Sequence, residues 1–292
     1  MTKYNPTLFL ALAVSLFSCS KNDGTLSSVH IQGIAINGRE DFPANIAVGQ
    51  TLVLSPVLND SLSLNSYSWT ISPDHDSEFG NRSEKQITWR PQEVSAYTIK
   101  VTVFNTVTRT IDSASVSFNT QKADFRYELW GSNYDNIALN ENANPSDLLY
   151  EDPSGYYVTY RVTDKGAWNG KSTDQSQTGD YATYIFTDGK LSGGMVTIPL
   201  DFGSDGDKYL NEFFFKIEER LGEYDYLREE HEWDTDGAAQ AYKNDPQLLA
   251  TAFEKGYVVL KEYYENATST IVYFMERTDE GATVTIEYSA KK

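Results

Sequence analysis

The long polar segment 163–180 (TDKGAWNGKSTDQSQTGD) carries residue types that recognise sugars. Trp168 is the one large apolar side chain in these eighteen residues, and an indole face packs well against the C–H side of a pyranose ring. Asn169, Lys171 and Asp174 supply donors and acceptors for sugar hydroxyl groups. Loops of this length without regular structure are functional or disordered. We therefore predict a glycan contact at these four residues, with anchoring of Trp168 on a sheet as the alternative.

A second segment, Glu232-Trp233-Asp234-Thr235-Asp236-Gly237, has the spacing of a calcium-binding loop. Glu232, Asp234 and Asp236 place carboxylates at alternate positions ahead of a glycine, as the first half of an EF-hand loop does. The twelfth position of such a loop carries a bidentate glutamate, whereas this chain has Lys243 there. Two interpretations therefore stay open, a Ca²⁺ site that would be the chain's one cofactor, or a helix cap at Asp236.

The sequence has no constellation of catalytic type. His30, His75 and His231 share no characteristic spacing with a nucleophile or a metal ligand. A pair of carboxylates can hydrolyse a glycoside, but the 42 acidic residues offer no way of choosing two of them. We predict a protein that is not an enzyme and has no catalytic residue, and we keep a glycoside hydrolase as an alternative.

The N-terminus combines Lys3 with a ten-residue apolar run from Leu8 to Phe17. This run is about half of the roughly 20 residues that a membrane-spanning helix needs, and a basic start, a short apolar core and a small residue before a cleavage point are typical of a signal peptide. Cys19 follows as the only cysteine of the chain. The residues Leu16-Phe17-Ser18-Cys19 resemble the lipobox of bacterial lipoproteins.

That resemblance implies that the sulfur of Cys19 receives a diacylglyceryl group and that cleavage occurs before it. Several acyl chains anchor a protein stably, since each buried methylene contributes about 0.8 kcal/mol. Residues 1–18 would be the signal peptide and residues 19–27 a lipidated tether similar to those of Bacteroidota lipoproteins. This implies attachment to the outer membrane, with the cell surface favoured over the periplasmic face. An ordinary secretory signal is the alternative.

The acidic residues are concentrated in the second half of the chain. Residues 19–120 contain 7 Lys/Arg and 10 Asp/Glu, and residues 121–292 contain 16 and 32. This excess of acidic side chains creates a negative field that repels phosphate backbones and anionic lipid head groups. We therefore expect no nucleic-acid partner and no direct binding to a membrane surface apart from the anchor.

Residues 28–120 alternate between apolar and polar side chains in short runs separated by turn residues, which predicts an antiparallel β-sandwich with Trp69 in its core. Tyr67-Ser68-Trp69-Thr70-Ile71, Ile87-Thr88-Trp89 and the run from Ser95 to Val103 are similar to a PKD-like domain of the immunoglobulin fold. In surface proteins such domains mostly act as spacers or adhesion modules, and the position directly after the tether favours a spacer.

Residues 121–292 contain seventeen of the twenty tyrosines. The dipeptide Asp188-Gly189 predicts a tight hairpin. A clear helix is expected from Asp205 or Asp207, as N-cap, to Gly222. With the tyrosine-rich strand patterns, this predicts an α+β domain with an antiparallel sheet and one or two helices on one face. The expected architecture is therefore multidomain.

We predict a lipid-anchored accessory protein of the envelope that binds or adheres to a glycan. This prediction combines the lipobox-like N-terminus, the PKD-like spacer and the acidic second half of the chain. The layout resembles that of Bacteroidota glycan-uptake or adhesion lipoproteins. An assembly lipoprotein that binds another envelope protein is the alternative.

Overall fold

The computed structural model describes residues 29–40, 45–59, 65–74, 79, 82–143, 146–162, 180–242 and 248–292. Within these ranges the chain is mostly β-structure. The strands are β1 (Ile31–Ile36), β2 (Asn45–Ala47), β3 (Leu52–Leu58), β4 (Asn65–Ser72), β5 (Ile87–Trp89), β6 (Ala96–Asn105), β7 (Thr110–Gln121), β8 (Ser146–Glu151), β9 (Tyr157–Val162), β10 (Asp180–Thr187), β11 (Lys190–Leu200), β12 (Asp225–Trp233), β13 (Val258–Glu265), β14 (Ser269–Thr278) and β15 (Gly281–Ala290). The helices are α1 (Tyr134–Asn142), α2 (Gly206–Leu221), α3 (Asp236–Tyr242) and α4 (Leu249–Glu254).

The first seven strands form two sheets. One has the order β1-β3-β5 and the other the order β2-β7-β6-β4. Neighbouring strands run antiparallel, apart from the parallel pair β2 and β7. The alternation of side chains along β6 favours a strand with one buried face. Tyr97, Ile99, Val101 and Val103 are buried, while the residues between them are more exposed.

Side chains from both of these sheets form one hydrophobic cluster. Trp69 lies within it and is 1% exposed, as predicted, and its Nε1 donates a hydrogen bond to the carbonyl oxygen of Glu84 at 2.8 Å. Trp89 of β5 meets Tyr97 of β6 edge-on with ring centroids 5.1 Å apart. Such an aromatic pair contributes about 0.5–1.5 kcal/mol beyond its buried area, and here it connects the two sheets.

The remaining eight strands form one antiparallel sheet in the order β12-β13-β14-β15-β11-β10-β9-β8. A second, separate hydrophobic cluster packs Ile137 of α1, Phe213 of α2 and Phe253 of α4 against one face of this sheet. The Phe213 ring lies 5.2 Å from the ring of Tyr273 on β14. The antiparallel sheet and the helices packed against it agree with the sheet and helices that the sequence predicts for this part of the chain.

Two local predictions for this part are confirmed. The Asp205 side chain caps α2 by accepting a hydrogen bond from the backbone N–H of Lys208 at 3.2 Å, and Gly222 follows the last residue of the helix. Asp188 and Gly189 have φ angles of 53° and 71°, which are the positive values that the tight turn between β10 and β11 requires.

The prediction of one or two helices is wrong, since the described residues form four. Strands β8 and β12 and helix α3 were also not predicted. Both strands lie at the ends of the eight-stranded sheet, and most of their residues are exposed. Without a buried face they carry no apolar alternation, so their strand conformation comes from pairing with β9 and β13.

Candidate functional site

A cleft of about 670 Å³ lies at the junction between the two hydrophobic clusters. Its lining combines one indole ring, Trp130, with the charged residues Arg39, Asp124 and Lys190. The lining also includes six amide side chains, those of Asn37, Asn45, Gln50, Gln121, Asn133 and Asn136. Residues from the first two sheets therefore face residues from the turn before α1, from α1 and from β11.

Hydrogen bonds hold Trp130 at the edge of this cleft. Asp124 Oδ2 accepts from the backbone N–H of Trp130 at 2.9 Å, and Asp124 Oδ1 accepts from Thr268 Oγ1 at 2.5 Å. The indole Nε1 of Trp130 donates to Ser269 Oγ at 3.0 Å. The ring is partly buried against the second hydrophobic cluster. Because its N–H is already bonded, Trp130 offers a ligand its apolar surface.

Other side chains of the cleft have unused hydrogen-bonding groups. Within the described residues, Gln121, Asn136 and Lys190 make no side-chain hydrogen bond and no ion pair, and each is at least partly exposed. Gln121 ends β7, Asn136 lies in the first turn of α1, and Lys190 begins β11. Proteins bind sugars with this combination, since an aromatic surface packs on the C–H groups while amides and an ammonium group bond to the hydroxyls.

A buried ion pair involves Arg126, which lies close in sequence to the cleft residues Asp124 and Trp130. Arg126 donates to both carboxylate oxygens of Glu141, with distances of 2.8 Å for Nε to Oε1 and 3.2 Å for Nη2 to Oε2. The Tyr184 hydroxyl donates to the same carboxylate. Burial lowers the pKa of Arg126, but the nearby Tyr184 and Glu141 raise it by more, so that its pKa lies above the ordinary value. Bidentate geometry and full hydrogen bonding compensate for the cost of burying these two charges.

Glu128 is a second buried acid beside this pair. Its side chain accepts a hydrogen bond from Asn140 Nδ2, and Asn140 Oδ1 accepts one from the backbone N–H of Thr51 at 2.5 Å. Burial raises the pKa of Glu128 to about 7, against the opposing effect of hydrogen bonds from Ser132 and Asn140. Because Thr51 belongs to the first half of the chain, this chain of bonds connects the two halves.

Further contacts fix the same junction. Arg90 donates from Nη2 to the carbonyl oxygen of Ala143 at 2.7 Å and from Nε to Thr51 Oγ1 at 3.0 Å. The ring of Tyr127 packs on Gly49, where a Cβ atom would lie 2.9 Å from Tyr127 Cδ1. The cleft is therefore shaped by a packed interface between the halves and not by a loose linker.

In the part of the cleft that the structure describes, the lining does not contain the carboxylate pair that the hydrolase alternative requires. Among the described lining residues, Asp124 is the one acid, and both of its oxygens accept the structural hydrogen bonds given above. Glycosidases of the common type use two carboxyl groups that flank the bond to be broken.

The predicted sugar-binding residues Trp168, Asn169, Lys171 and Asp174 lie outside the described residues, and so does Cys19. The glycan contact at that loop and the lipidation of Cys19 stay predictions. Over the ranges that the structure describes, no helix has the length and hydropathy needed to cross a membrane.

The predicted calcium ligands are placed only in part. Glu232 is exposed on β12 and forms an ion pair with Lys261. Asp234 follows β12, and the side chain of Asp236 lies outside the described set. Among the described residues, no group of three His, Cys, Asp or Glu side chains is arranged to hold a metal ion. The predicted helix cap at Asp236 is wrong, because α3 already includes Asp236 as its first residue. The residue before it, Thr235, is in the cap position, and its Oγ1 accepts a hydrogen bond from the backbone N–H of Ala238 at 3.1 Å.

Sequence reasoning did not find the cleft. Trp130 lies in the run Phe125-Arg126-Tyr127-Glu128-Leu129-Trp130-Gly131, whose pattern alone predicts a strand, and its partners lie far from it in the chain. One signal was present, because Trp130 is followed by Gly131, Ser132 and Asn133, a polar composition similar to that around Trp168.

Comparison with known proteins identifies no family. No protein-family model matches this chain, and no curated protein matches it. Among solved structures, the chain is similar to a quinonprotein alcohol dehydrogenase-like protein from Bacteroides thetaiotaomicron, with 11% sequence identity and a TM-score of 0.24. The match covers 87% of this chain and 48% of the other, so the chain spans about half the length of that protein. A similarity this low indicates neither a shared fold nor a shared activity.

Proposed function

We propose that this chain is a non-catalytic, lipid-anchored protein of the bacterial outer membrane that contacts a glycan. Cys19 carries the anchor and residues 19–27 form the tether. Residues 28–120 form a PKD-like spacer of the immunoglobulin fold, and residues 121–292 form the acidic α+β domain. The glycan binds where the second domain meets the first, and the cell surface is the favoured location.

The junction cleft is the observation that carries this proposal. A sugar needs a hydrophobic surface for its C–H groups and several donors and acceptors for its hydroxyls. Trp130 supplies the first, and Gln121, Asn136 and Lys190 supply the second. The hydrogen bonds around Trp130 form within the protein, so its ring is positioned before a ligand arrives, which reduces the entropy lost on binding.

The arrangement of the first half supports a spacer. Its three-stranded and four-stranded sheets share one hydrophobic cluster that is separate from the cluster of the second half. Seven strands in two sheets with a buried tryptophan are typical of immunoglobulin-like domains. The contacts of Thr51 and Arg90 with α1 hold this unit against the second half.

Binding to immobilised glycans tests the proposal. The full chain, purified in a detergent without a sugar head group, is applied to a glycan array alongside the triple variant Gln121→Ala/Asn136→Ala/Lys190→Ala. These side chains make no hydrogen bond within the described residues, so the fold should be kept. We expect the triple variant to lose the signal, since each hydrogen bond to a ligand contributes about 0.5–1.5 kcal/mol.

The matched control is Gln32→Ala/Lys100→Ala/Gln240→Ala, which removes two amides and one lysine from exposed positions outside the cleft. It should bind as the unmodified chain does. Absence of binding of the unmodified chain to every glycan on the array, or equal binding by both triple variants, would contradict a glycan site in the cleft.

A protein partner is the second candidate function, and the edge strand β8 favours it. Leu148, Leu149 and Tyr150 on this strand are 51%, 42% and 47% exposed, and the nearby Tyr156 is 64% exposed. Within the described ranges, β8 is the last strand of its sheet and has one neighbour, β9. An exposed apolar edge strand is a template for pairing with a strand of another protein.

Crosslinking in the membrane followed by purification tests this second candidate. An assembly protein should return one stoichiometric envelope partner, and the variant Leu149→Lys should lose it because a charge on an edge strand opposes pairing. A purification that returns no partner would count against assembly and would leave the glycan proposal untouched.

A further inference from the structure

A second concave site lies at the other end of the eight-stranded sheet from β8. It is a pocket of about 330 Å³ lined by Phe214, Tyr224, Tyr226 and Tyr264, together with the carboxyl group of Glu262. Gly222, after the C-terminus of α2, completes the lining with Leu221. Of the lining residues that the structure describes, the pocket shares none with the junction cleft.

Strand pairing at the edge of the sheet brings the aromatic rings together. Tyr226 on β12 is the register partner of Tyr264 on β13, and their ring centroids lie 5.7 Å apart at an interplanar angle of 72°. Glu262 precedes Tyr264 by two residues and therefore faces the same side of β13. The Tyr264 hydroxyl donates a hydrogen bond to Glu262 Oε2, which fixes the carboxyl group beside the rings.

The end of α2 contributes Phe214 and Leu221 to the lining of the pocket, and Gly222 follows them. This sixteen-residue helix ends at Leu221 and is followed by Gly222. The backbone N–H of Tyr224 returns to the carbonyl oxygen of Leu221 at 2.9 Å, so the chain turns at once and places Tyr224 in the pocket. The C-terminal end of a helix carries a partial negative charge that favours a cation nearby.

Exposure differs between the rings and the carboxyl group. Tyr226 and Phe214 are 55% and 39% exposed, whereas Glu262 is 7% exposed and Tyr264 is 6% exposed. Two open rings thus stand beside a nearly buried acid. Burial raises the pKa of Glu262, and the hydrogen bond from Tyr264 opposes this effect. A cation in the pocket would stabilise the ionised form of this carboxyl group.

Among the side chains that the structure describes, the charges around the pocket are mostly negative. In addition to burial, the negative charge of Glu229 raises the pKa of Glu262, and the negative charge of Glu223 raises the pKa of Tyr224. Lys122 pairs with Glu223 at 2.7 Å. Arg228 stacks on Tyr263 at 3.8 Å and pairs with Glu230, and Tyr263 alternates with Glu262 and Tyr264 along β13. Within the described side chains, Lys122 and Arg228 are therefore engaged outside the lining of the pocket.

We infer that this pocket binds a quaternary ammonium group of the choline type. Aromatic faces attract such cations through their quadrupoles, and methyl groups on nitrogen pack against the rings. The Glu262 carboxylate and the carbonyl end of α2 add two further negative partners. Because Glu262 is the one charged acceptor among the described lining residues and already accepts from Tyr264, the lining suits a methylated nitrogen better than three N–H donors.

Titration with small cations tests this inference. The full chain, in a detergent without an ammonium head group, is titrated with choline chloride and followed by NMR at constant ionic strength. The neutral comparison ligand is 3,3-dimethyl-1-butanol, which has the same shape without the charge. We expect saturable choline binding and at least about tenfold weaker binding of the neutral alcohol.

Two variants separate the site from general charge effects. Tyr226→Ala removes an exposed ring, and Glu262→Gln removes the carboxylate. Each should weaken choline binding about five- to tenfold, whereas Tyr156→Ala, an exposed tyrosine at the other edge of the sheet, should leave it unchanged. Tyr226→Ala keeps the test decisive if the buried Glu262→Gln variant fails to fold.

Three outcomes would overturn the inference. They are equal binding of choline and the neutral alcohol, tighter binding of methylammonium than of tetramethylammonium, and unchanged choline affinity in Tyr226→Ala. Since the described linings of the pocket and the junction cleft have no residue in common, none of these outcomes bears on glycan binding.

Discussion

The side-chain oxygen of Asn140 accepts a hydrogen bond from the backbone N–H of Thr51, 89 residues earlier in the chain, at 2.5 Å. Both residues are 1% exposed. Asn140 also donates to Glu128, so one amide satisfies a group from each half of the protein. The geometry of the junction cleft depends on this contact, because Gln50 and Leu129 in its lining are chain neighbours of Thr51 and Glu128.

Replacing Asn140 with Ala should destabilise the protein by about 1–3 kcal/mol. The Thr51 N–H would be left buried without its acceptor, and an unsatisfied buried group costs this much. The free energy of unfolding from urea denaturation measures the effect. Asn136→Ala, one helical turn earlier and without a side-chain bond in the described residues, is the control and should change stability by less than about 0.5 kcal/mol. Equal effects in both variants would show that the bond does not join the halves.

Stability should depend on pH through Glu128. Burial raises the pKa of this carboxyl group from an ordinary value of 4.5 to about 7, so the folded state binds the proton more tightly than the unfolded chain does. The resulting stabilisation is complete below about pH 4.5 and is lost as the pH rises through about 7. The difference between the two pKa values corresponds to roughly 3 kcal/mol of unfolding free energy.

The comparison with Glu128→Gln isolates this group. The neutral amide cannot ionise, so the loss of unfolding free energy between pH 5 and pH 8 should be smaller in the variant than in the unmodified chain. Urea denaturation of both proteins at each pH measures the difference. Parallel pH dependences for the two chains would mean that Glu128 has no raised pKa in the folded state.

Gly49 should not tolerate a side chain. Its φ angle is +84°, and a Cβ atom would lie 2.9 Å from Tyr127 Cδ1. Gly49→Ala should therefore cost about 1–3 kcal/mol, from backbone strain together with the displaced ring. Gly38→Ala is the matched control, because Gly38 has a φ angle of +75° but nothing within 4 Å of the added atom. A thermal or urea midpoint that falls equally in both variants would contradict the packing of Tyr127 on Gly49.

The lipid anchor should depend on Cys19 alone. Since Cys19 is the only cysteine, cells fed a clickable fatty acid should label the unmodified chain and should not label Cys19→Ala. The variant should also leave the membrane fraction, because several acyl chains are needed for stable attachment. Label on Cys19→Ala, or its retention in membranes, would contradict lipidation at this residue.

The sequence predicts the elements that have one buried face. β6 and the helix α2 show clear periodicity, because the residues that repeat are those that enter a core. β12, with the sequence DYLREEHEW, is mostly exposed at a sheet edge, so no pattern marks it as a strand. Its conformation follows from pairing with β13, which no local pattern encodes.

The two sites were not predictable for a related reason. Gln50, Trp130 and Lys190 meet in the cleft only because the two halves pack together through Thr51 and Asn140. Tyr226 and Tyr264 meet in the aromatic pocket only through the register of β12 and β13. Local patterns predict elements, but tertiary packing determines which side chains become neighbours.

The affinity of a glycan identified on the array, measured by calorimetry on three proteins, tests the central claim most directly. These proteins are the unmodified chain, the cleft variant Gln121→Ala/Asn136→Ala/Lys190→Ala, and Trp168→Ala in the predicted sugar-binding loop. A glycan site in the junction cleft predicts that the cleft variant binds at least about tenfold more weakly than the unmodified chain. Unchanged affinity in the cleft variant, with binding lost in Trp168→Ala alone, would contradict the cleft and place the contact on the loop.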